Sequence, residues 1–261
     1  MCDACHRVSA EARQKSQPFP RNGALGSNLN LALEKLRSKI PHSDNSIVYS
    51  YVVRTIDLDR DGFTQWGSAP NFQGDLLTLC TCKHYMRTLR QDWKDIWVAG
   101  VTTKVNRNAL VYLMKVMKQF ESQSELWSWM KRAVPRAVHQ KAACWWELGD
   151  LFLPKLQHAL NDLEKFVPAN YVEPCELHSH SKKAWYRDID YRNGKRVEGR
   201  RRRPLLLVGD PKLSFIWDGR PSRLLRLKHP DPAKFFVRGQ KKWRLQRAVD
   251  YPCFLCSIRP A

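Results

Sequence analysis

Ile47-Val48-Tyr49-Ser50-Tyr51-Val52-Val53-Arg54 opens the stretch from which the fold is read. Its β-branched and aromatic residues mark a strand. A polar, glycine-containing segment follows, from Asp57 to Gly74. Three more apolar runs come after it: Leu76-Leu77-Thr78-Leu79-Cys80, Ile96-Trp97-Val98-Ala99-Gly100-Val101 and Leu110-Val111-Tyr112-Leu113-Met114-Lys115-Val116. Four short runs divided by turn chemistry read as strands of one sheet. The segment Asp57 to Gly74 then reads as a long loop between the first two strands, a kind of loop that often carries binding residues.

Outward from this stretch, residues Met1 to Gly26 mix Ser, Gln, Pro and Gly with charges and read as a flexible extension, residues 1–26. Leu29, Leu31, Leu33, Leu36 and Ile40 predict a helix over Ser27 to Ile40, capped by Ser27 or Asn28 and stopped by Pro41. Cys82 to Arg90 reads as a short helix with Lys83, Arg87 and Arg90 at helical spacing. Such a face either takes a phosphate or is simply solvated. Ser124 to Val134 and Leu156 to Phe166 read as further helices. Pro204 to Val208 and Ser214 to Trp217 read as two strands parted by the turn Gly209-Asp210-Pro211. Pro230 to Phe236 and Gln240 to Val249 read as helical. The main domain is expected over residues 27–250, with a tail at 251–261.

The chain has 261 residues and a net charge of +20. Residues Arg192 to Arg247 hold 18 Lys and Arg against four acids, so most of the surplus lies late in the chain. Clustered cations with few acids favour a polyanionic partner through counterion release. DNA or a nucleotide is the expected partner. Aromatics interleaved with cations at Trp185-Tyr186-Arg187, Phe215 to Arg220 and Phe235 to Arg244 suit base stacking with phosphate contact, and suit a core equally well. No apolar run approaches the roughly 20 residues that span a bilayer, and the start of the chain has no apolar signal core. The expectation is a cytoplasmic protein without a membrane partner.

The cysteine pairs Cys2-Asp3-Ala4-Cys5 and Cys253-Phe254-Leu255-Cys256 together would supply four thiolates to zinc. About 250 residues part them, far beyond the spacing of a zinc ribbon, so free thiols and no metal are expected. Asp57, Asp59 and Asp61-Gly62 are spaced like a calcium loop, but the downstream Glu is absent and Ser68 stands there. Cofactors are left unassigned.

A series of motifs runs in order: Ser50-Tyr51-Val52-Val53, Asp61-Gly62-Phe63, Ala69-Pro70-Asn71-Phe72-Gln73-Gly74, and Leu77-Thr78-Leu79-Cys80-Thr81-Cys82-Lys83 with Arg87. Asp95-Ile96-Trp97-Val98-Ala99-Gly100 and Leu110-Val111-Tyr112 continue it. His180, Trp185-Tyr186-Arg187-Asp188 and Leu205-Leu206-Leu207-Val208 lie downstream. The series resembles the type 2 nucleotide modification associated domains of bacteria and phages, over roughly Tyr49 to Val237. It departs from them in having Thr64 to Ser68 inserted, Phe72 where a Pro is typical after Asn, and His84 where a Pro is typical after Cys-Lys. The resemblance implies an α+β domain and a setting among DNA-base modification systems. With the strand series, it leads to a mixed, strongly curved, barrel-like sheet flanked by helices.

Asp61, Asn71, Lys83 and Arg87 fall on or just after the loop joining the first two strands. Asn reads base edges through a paired donor and acceptor, and Lys and Arg hold phosphate. The same Asp-Gly and Asn residues are also ordinary turn formers. His178, His180, Tyr186 and Asp188 form a second polar cluster, for proton transfer or as surface residues of a basic loop. Cys82 is a further nucleophile candidate if Lys83 or a histidine lowers its pKa, and otherwise a buried structural thiol.

The candidate catalytic set is therefore Asp61, Asn71, Lys83, His180 and Asp188. The candidate nucleic-acid-binding set is Arg87, Arg90, Arg200, Arg201, Arg202 and Arg203. The expected function is modification or recognition of a base in DNA, alongside other components of a modification system. The alternatives are a non-enzymatic module that senses modified bases, and an interaction protein anchored by its basic tail.

Overall fold

Strands buried along most of their length set the architecture. In a computed structural model, residues 19–54, 56–65, 69–80, 83–121, 123–143, 204–228, 241–246 and 252–260 are described. In chain order the elements are α1 (Gly23–Ser27), α2 (Leu33–Lys39), β1 (Ile47–Val52), β2 (Ile56–Leu58), β3 (Phe63–Gln65) and β4 (Thr78–Leu79). There follow α3 (His84–Arg87), β5 (Trp97–Val101), β6 (Leu110–Phe120), α4 (Gln123–Ala133) and α5 (Pro135–Ala143). Strands β7 (Leu206–Ile216), β8 (Leu225–Leu227), β9 (Lys241–Arg244) and β10 (Ile258–Pro260) complete the described part.

The fold is mixed α+β, and among the described residues the main sheet has six strands in the order β4-β7-β6-β5-β1-β9. Strand β1 is parallel to β5 and antiparallel to β9, while β5 is antiparallel to β6 and β4 to β7. The order ends at β4 and β9, so the described strands do not close into a barrel. Two small ribbons, β2–β3 and β8–β10, stand apart from this sheet.

The described residues belong to two units. One holds 69–80, 83–93, 118–143 and 204–208, and the other holds the rest. In the second unit Trp97, Trp217 and Trp243 are almost wholly buried. A buried indole N–H needs an acceptor. Trp97 Nε1 donates to Asp44 Oδ2 at 3.2 Å, Trp217 Nε1 to the Leu31 carbonyl at 3.0 Å, and Trp243 Nε1 to Ser50 Oγ at 2.7 Å. In the first unit Leu126, Trp127 and Met130 of α4 and Ala137 of α5 are buried with Phe72, Leu76, Leu77 and Leu79.

Several expectations need correction. The helix expected over Ser27 to Ile40 covers only Leu33–Lys39, with Ala32 at its N-cap; Ser27 ends α1, and Asn28 follows it as a C-cap. The Asn28 carboxamide donates instead to the carbonyls of Lys212 at 3.1 Å and Ser214 at 3.0 Å. The long loop after β1 contains the β2–β3 hairpin. Pro204 to Trp217 contains one strand rather than two, because Gly209-Asp210-Pro211 stays extended within β7. Asp210 Oδ1 accepts from the Lys212 amide at 2.8 Å there. Part of the helix expected over Gln240 to Val249 is strand β9, with Lys241 and Trp243 buried and Lys242 and Arg244 half-buried, the period of a strand.

Cys253 and Cys256 form a disulfide rather than two free thiols. Residues 252–260 also pack into the second unit, where Phe254 and Ile258 are fully buried. Among the described residues no helix is long and apolar enough to cross a membrane. The helices read over Leu156 to Phe166 and Pro230 to Phe236, and the pair Cys2 and Cys5, lie outside the described residues.

Candidate functional site

The segment Ala69 to Thr78 folds back on itself. Its Ala69–Pro70 peptide bond is cis. Asn71 and Thr78 form an isolated antiparallel bridge, in which the Thr78 amide donates to the Asn71 carbonyl at 3.0 Å. Between them the chain makes a 3-10 turn over Gln73–Asp75. Gly74 lies at φ +74°, a conformation that favours glycine. It also lies against α5: a Cβ on Gly74 would sit 2.2 Å from the Ala137 Cα. The Gly74 amide donates to Gln140 Oε1 at 2.8 Å. Glycine is thus required twice, for its backbone angle and for the approach of the helix.

That docking brings Lys141 into register with Asn71. Lys141, one turn after Ala137, is 2% exposed, as is Asn71, and Thr78 is 4% exposed. Lys141 Nζ donates to Asn71 Oδ1 at 2.6 Å, to the Asn71 carbonyl at 3.3 Å and to Thr78 Oγ1 at 3.2 Å. Thr78 Oγ1 donates in turn to Asn71 Oδ1 at 3.2 Å. Removing an ammonium from water costs several kcal/mol unless such oxygens replace the solvent. Asn71 therefore has both its carbonyls committed toward the helix.

The stretch after β4 carries the other cations. Lys83 is half-buried and has φ +55°. Arg87 is 1% exposed, and its Nη1 donates to the Leu205 carbonyl at 2.6 Å. The Arg87 carbonyl accepts from Trp93 Nε1 at 3.2 Å. Arg90 is half-buried, with Nε donating to the Asp92 carbonyl at 3.0 Å. Lys83, Arg87 and Arg90 therefore do not form one solvated face: Arg87 turns inward and anchors α3. Cys80 is buried, and Cys82 lies outside the described residues.

Asp61 is exposed at the turn of the β2–β3 hairpin. Gly62, at φ +133°, lets this turn lie on the Asp218 carbonyl, which a Cβ would approach to 2.4 Å. The Phe63 amide donates to that same carbonyl at 2.6 Å. Asp57 accepts from Asn106 and Asp59 from Thr64, so two of the three carboxylates with calcium-like spacing have protein donors. Among the described residues no group of three or more His, Cys, Asp or Glu could hold a metal.

Asp61 belongs to the second unit, whereas Asn71, Lys83, Arg87 and Arg90 belong to the first. His178, His180, Tyr186, Asp188 and Arg200 to Arg203 lie outside the described residues. The residues brought together are Asn71, Thr78 and Lys141. Sequence reading missed Lys141. Its signal in the sequence is its place beside Val134, Ala137, Val138 and Ala142 on one helical face.

Other motif residues have packing roles in the second unit. Tyr112 Oη donates to Tyr51 Oη at 2.7 Å in the core. Gly100 makes room for the Tyr112 ring, whose Cε1 would lie 2.4 Å from a Cβ there.

No curated protein and no solved structure matches the chain. The family match that is found starts just before β1 and stops at Lys141, short of the downstream motifs around His180 and Asp188. Residues 45–141 match the family described as nucleotide modification associated domain 2, the family that the motif series resembles.

Proposed function

We propose that the protein acts in nucleotide modification by acting on or recognising a base in DNA. The observation that carries this reading is the family match over residues 45–141, the stretch that holds the Lys141–Asn71–Thr78 network. A buried ammonium is costly unless such oxygens replace its solvent. Its role here is positional. It fixes the Asn71 turn, and hence the path of the chain into β4 and on to Lys83.

In this reading Lys83 serves the base, with Asn71 holding the turn that leads to it; Asp61, His180 and Asp188 are separate candidates for the same chemistry. Arg90 and Arg200, Arg201, Arg202 and Arg203 hold phosphate, and Arg87 anchors the helix between Lys83 and Arg90. The net charge of +20 supports a polyanionic partner. Other components of a modification system would complete the assembly.

The test is mass spectrometry of nucleosides from DNA incubated with the protein, alongside binding to modified and unmodified oligonucleotides. An altered nucleoside, or a preference between the oligonucleotides, supports the reading. Unchanged nucleosides together with equal binding overturn it.

A further inference from the structure

We propose that the outer face of the β8–β10 ribbon, with the turn between β5 and β6, forms a second surface that grips the sugar-phosphate backbone of nucleic acid. All of it lies in the second unit. It rests on the reading of the chain as a nucleic-acid protein, and adds where the polymer is held.

Register brings the cations together. Arg226 of β8 stands opposite Arg259 of β10. Like charges in direct cross-strand pairs repel, so the pair favours an anion between or above them. Arg226 Nε is buried and, among the described residues, has no hydrogen-bond partner. Lys228 follows Arg226 at the period of a strand and is exposed, as are Arg223 and Arg259. On the inward side Leu225, Leu227 and Ile258 are buried in the core, so the ribbon lies flat with its charged side outward.

The turn between β5 and β6 joins this surface. Ala109 bridges Arg226, and the Leu227 amide donates to the Asn108 carbonyl at 3.0 Å. The turn is held rigidly: Thr102 Oγ1 donates to the Asn106 carbonyl at 2.7 Å and accepts from the Ala109 amide at 2.8 Å. Asn106 Nδ2 also donates to the Ile56 carbonyl at 3.1 Å. At its tip Lys104 and Arg107 are exposed, and between them Val105 is 91% exposed.

The stretches 102–109, 219–228 and 252–260 contain no Asp or Glu. Arg220 is set aside because it pairs with Asp218 at 3.2 Å. The six remaining cations are Lys104, Arg107, Arg223, Arg226, Lys228 and Arg259. An anionic membrane would ask for an apolar face beneath the charges, and Val105 alone does not make one. A flat cationic surface with one apolar tip suits phosphate contact, which positions a duplex without reading its sequence.

Binding of a labelled duplex to the full chain, followed by anisotropy across a salt series, tests this. Arg223→Ala/Lys228→Ala removes two exposed cations and leaves the core untouched; Arg226→Ala/Arg259→Ala removes the opposed pair. Each double variant is expected to lower the salt slope by about two and weaken binding at least about tenfold near 0.1 M salt. Slopes equal to that of the unaltered chain overturn the proposal. So does absence of duplex binding by the unaltered chain, or capture by phosphatidylserine vesicles in preference to the duplex. Base preference is read from the same titrations. Its loss with the slopes behaving as expected would count against the base-directed function and not against this surface.

Discussion

Lys141 Nζ donates to Asn71 Oδ1 at 2.6 Å, across 70 residues of sequence. With the Gly74–Gln140 bond, this contact ties the Asn71 turn to α5 in the interior of the first unit. Lys141→Met keeps the length of the side chain and removes the charge, leaving the oxygens of Asn71 and Thr78 without that donor. The expected loss is about 2–4 kcal/mol in urea melts. A double-mutant cycle with Asn71→Ala should give a coupling of about 1–3 kcal/mol, and additive losses would refute the network.

Gly74→Ala meets two obstacles, a left-handed backbone angle and the Ala137 Cα at 2.2 Å. The backbone term is about 1–2 kcal/mol and the overpacking about 1–3 kcal/mol, so a loss of roughly 2–5 kcal/mol is expected in urea melts. A change under about 0.5 kcal/mol, typical of an ordinary surface site, would show that the turn does not rest on α5.

Asp44 links β5 and β6 to the turn before β1. It accepts from Trp97 Nε1 at 3.2 Å and Lys115 Nζ at 3.0 Å, and from the amide and hydroxyl of Ser46. Burial pushes its pKa up, but the bonds from Ser46 and Lys115 outweigh burial and hold it below the ordinary carboxylate value of 3.8. A depressed folded value means that the carboxylate stabilises the fold above the unfolded pKa. That stability is lost as pH falls through the folded value. Thermal melts should therefore weaken below about pH 4, and Asp44→Asn should flatten that acid limb while costing about 1–3 kcal/mol at neutral pH. An unchanged acid limb in the variant would remove Asp44 from this role.

Lys83 is half-buried just before α3, away from the buried contact of Arg87 with Leu205. Lys83→Ala is expected to keep stability within about 1 kcal/mol and to reduce preference for one base form over another. A large loss in urea with preference intact would make Lys83 a structural residue.

Strand positions in the first half were legible because Ile47 to Val52, Trp97 to Val101 and Leu110 to Val116 carry the composition of buried strands. Long-range demands were not legible. Asn28 has the residue type of a helix cap, yet β7 carbonyls nearly 190 residues away take its amide. Pro211 signals a turn, yet the strand continues through it because β7 is long and supported on both sides of Gly209-Asp210-Pro211. At the candidate site Asn71 and Thr78 stand out through their motif. Lys141 does not, since one lysine among many in a basic chain, even beside apolar residues on one helical face, does not read as buried until α5 is docked on Gly74.

Anisotropy titration of matched duplexes differing only in one base modification tests the central claim most directly. The intact protein should separate at least one modified form from its unmodified twin by about tenfold or more, a difference near 1.4 kcal/mol. Equal affinity for every pair would contradict the claim that a base in DNA is what this protein meets.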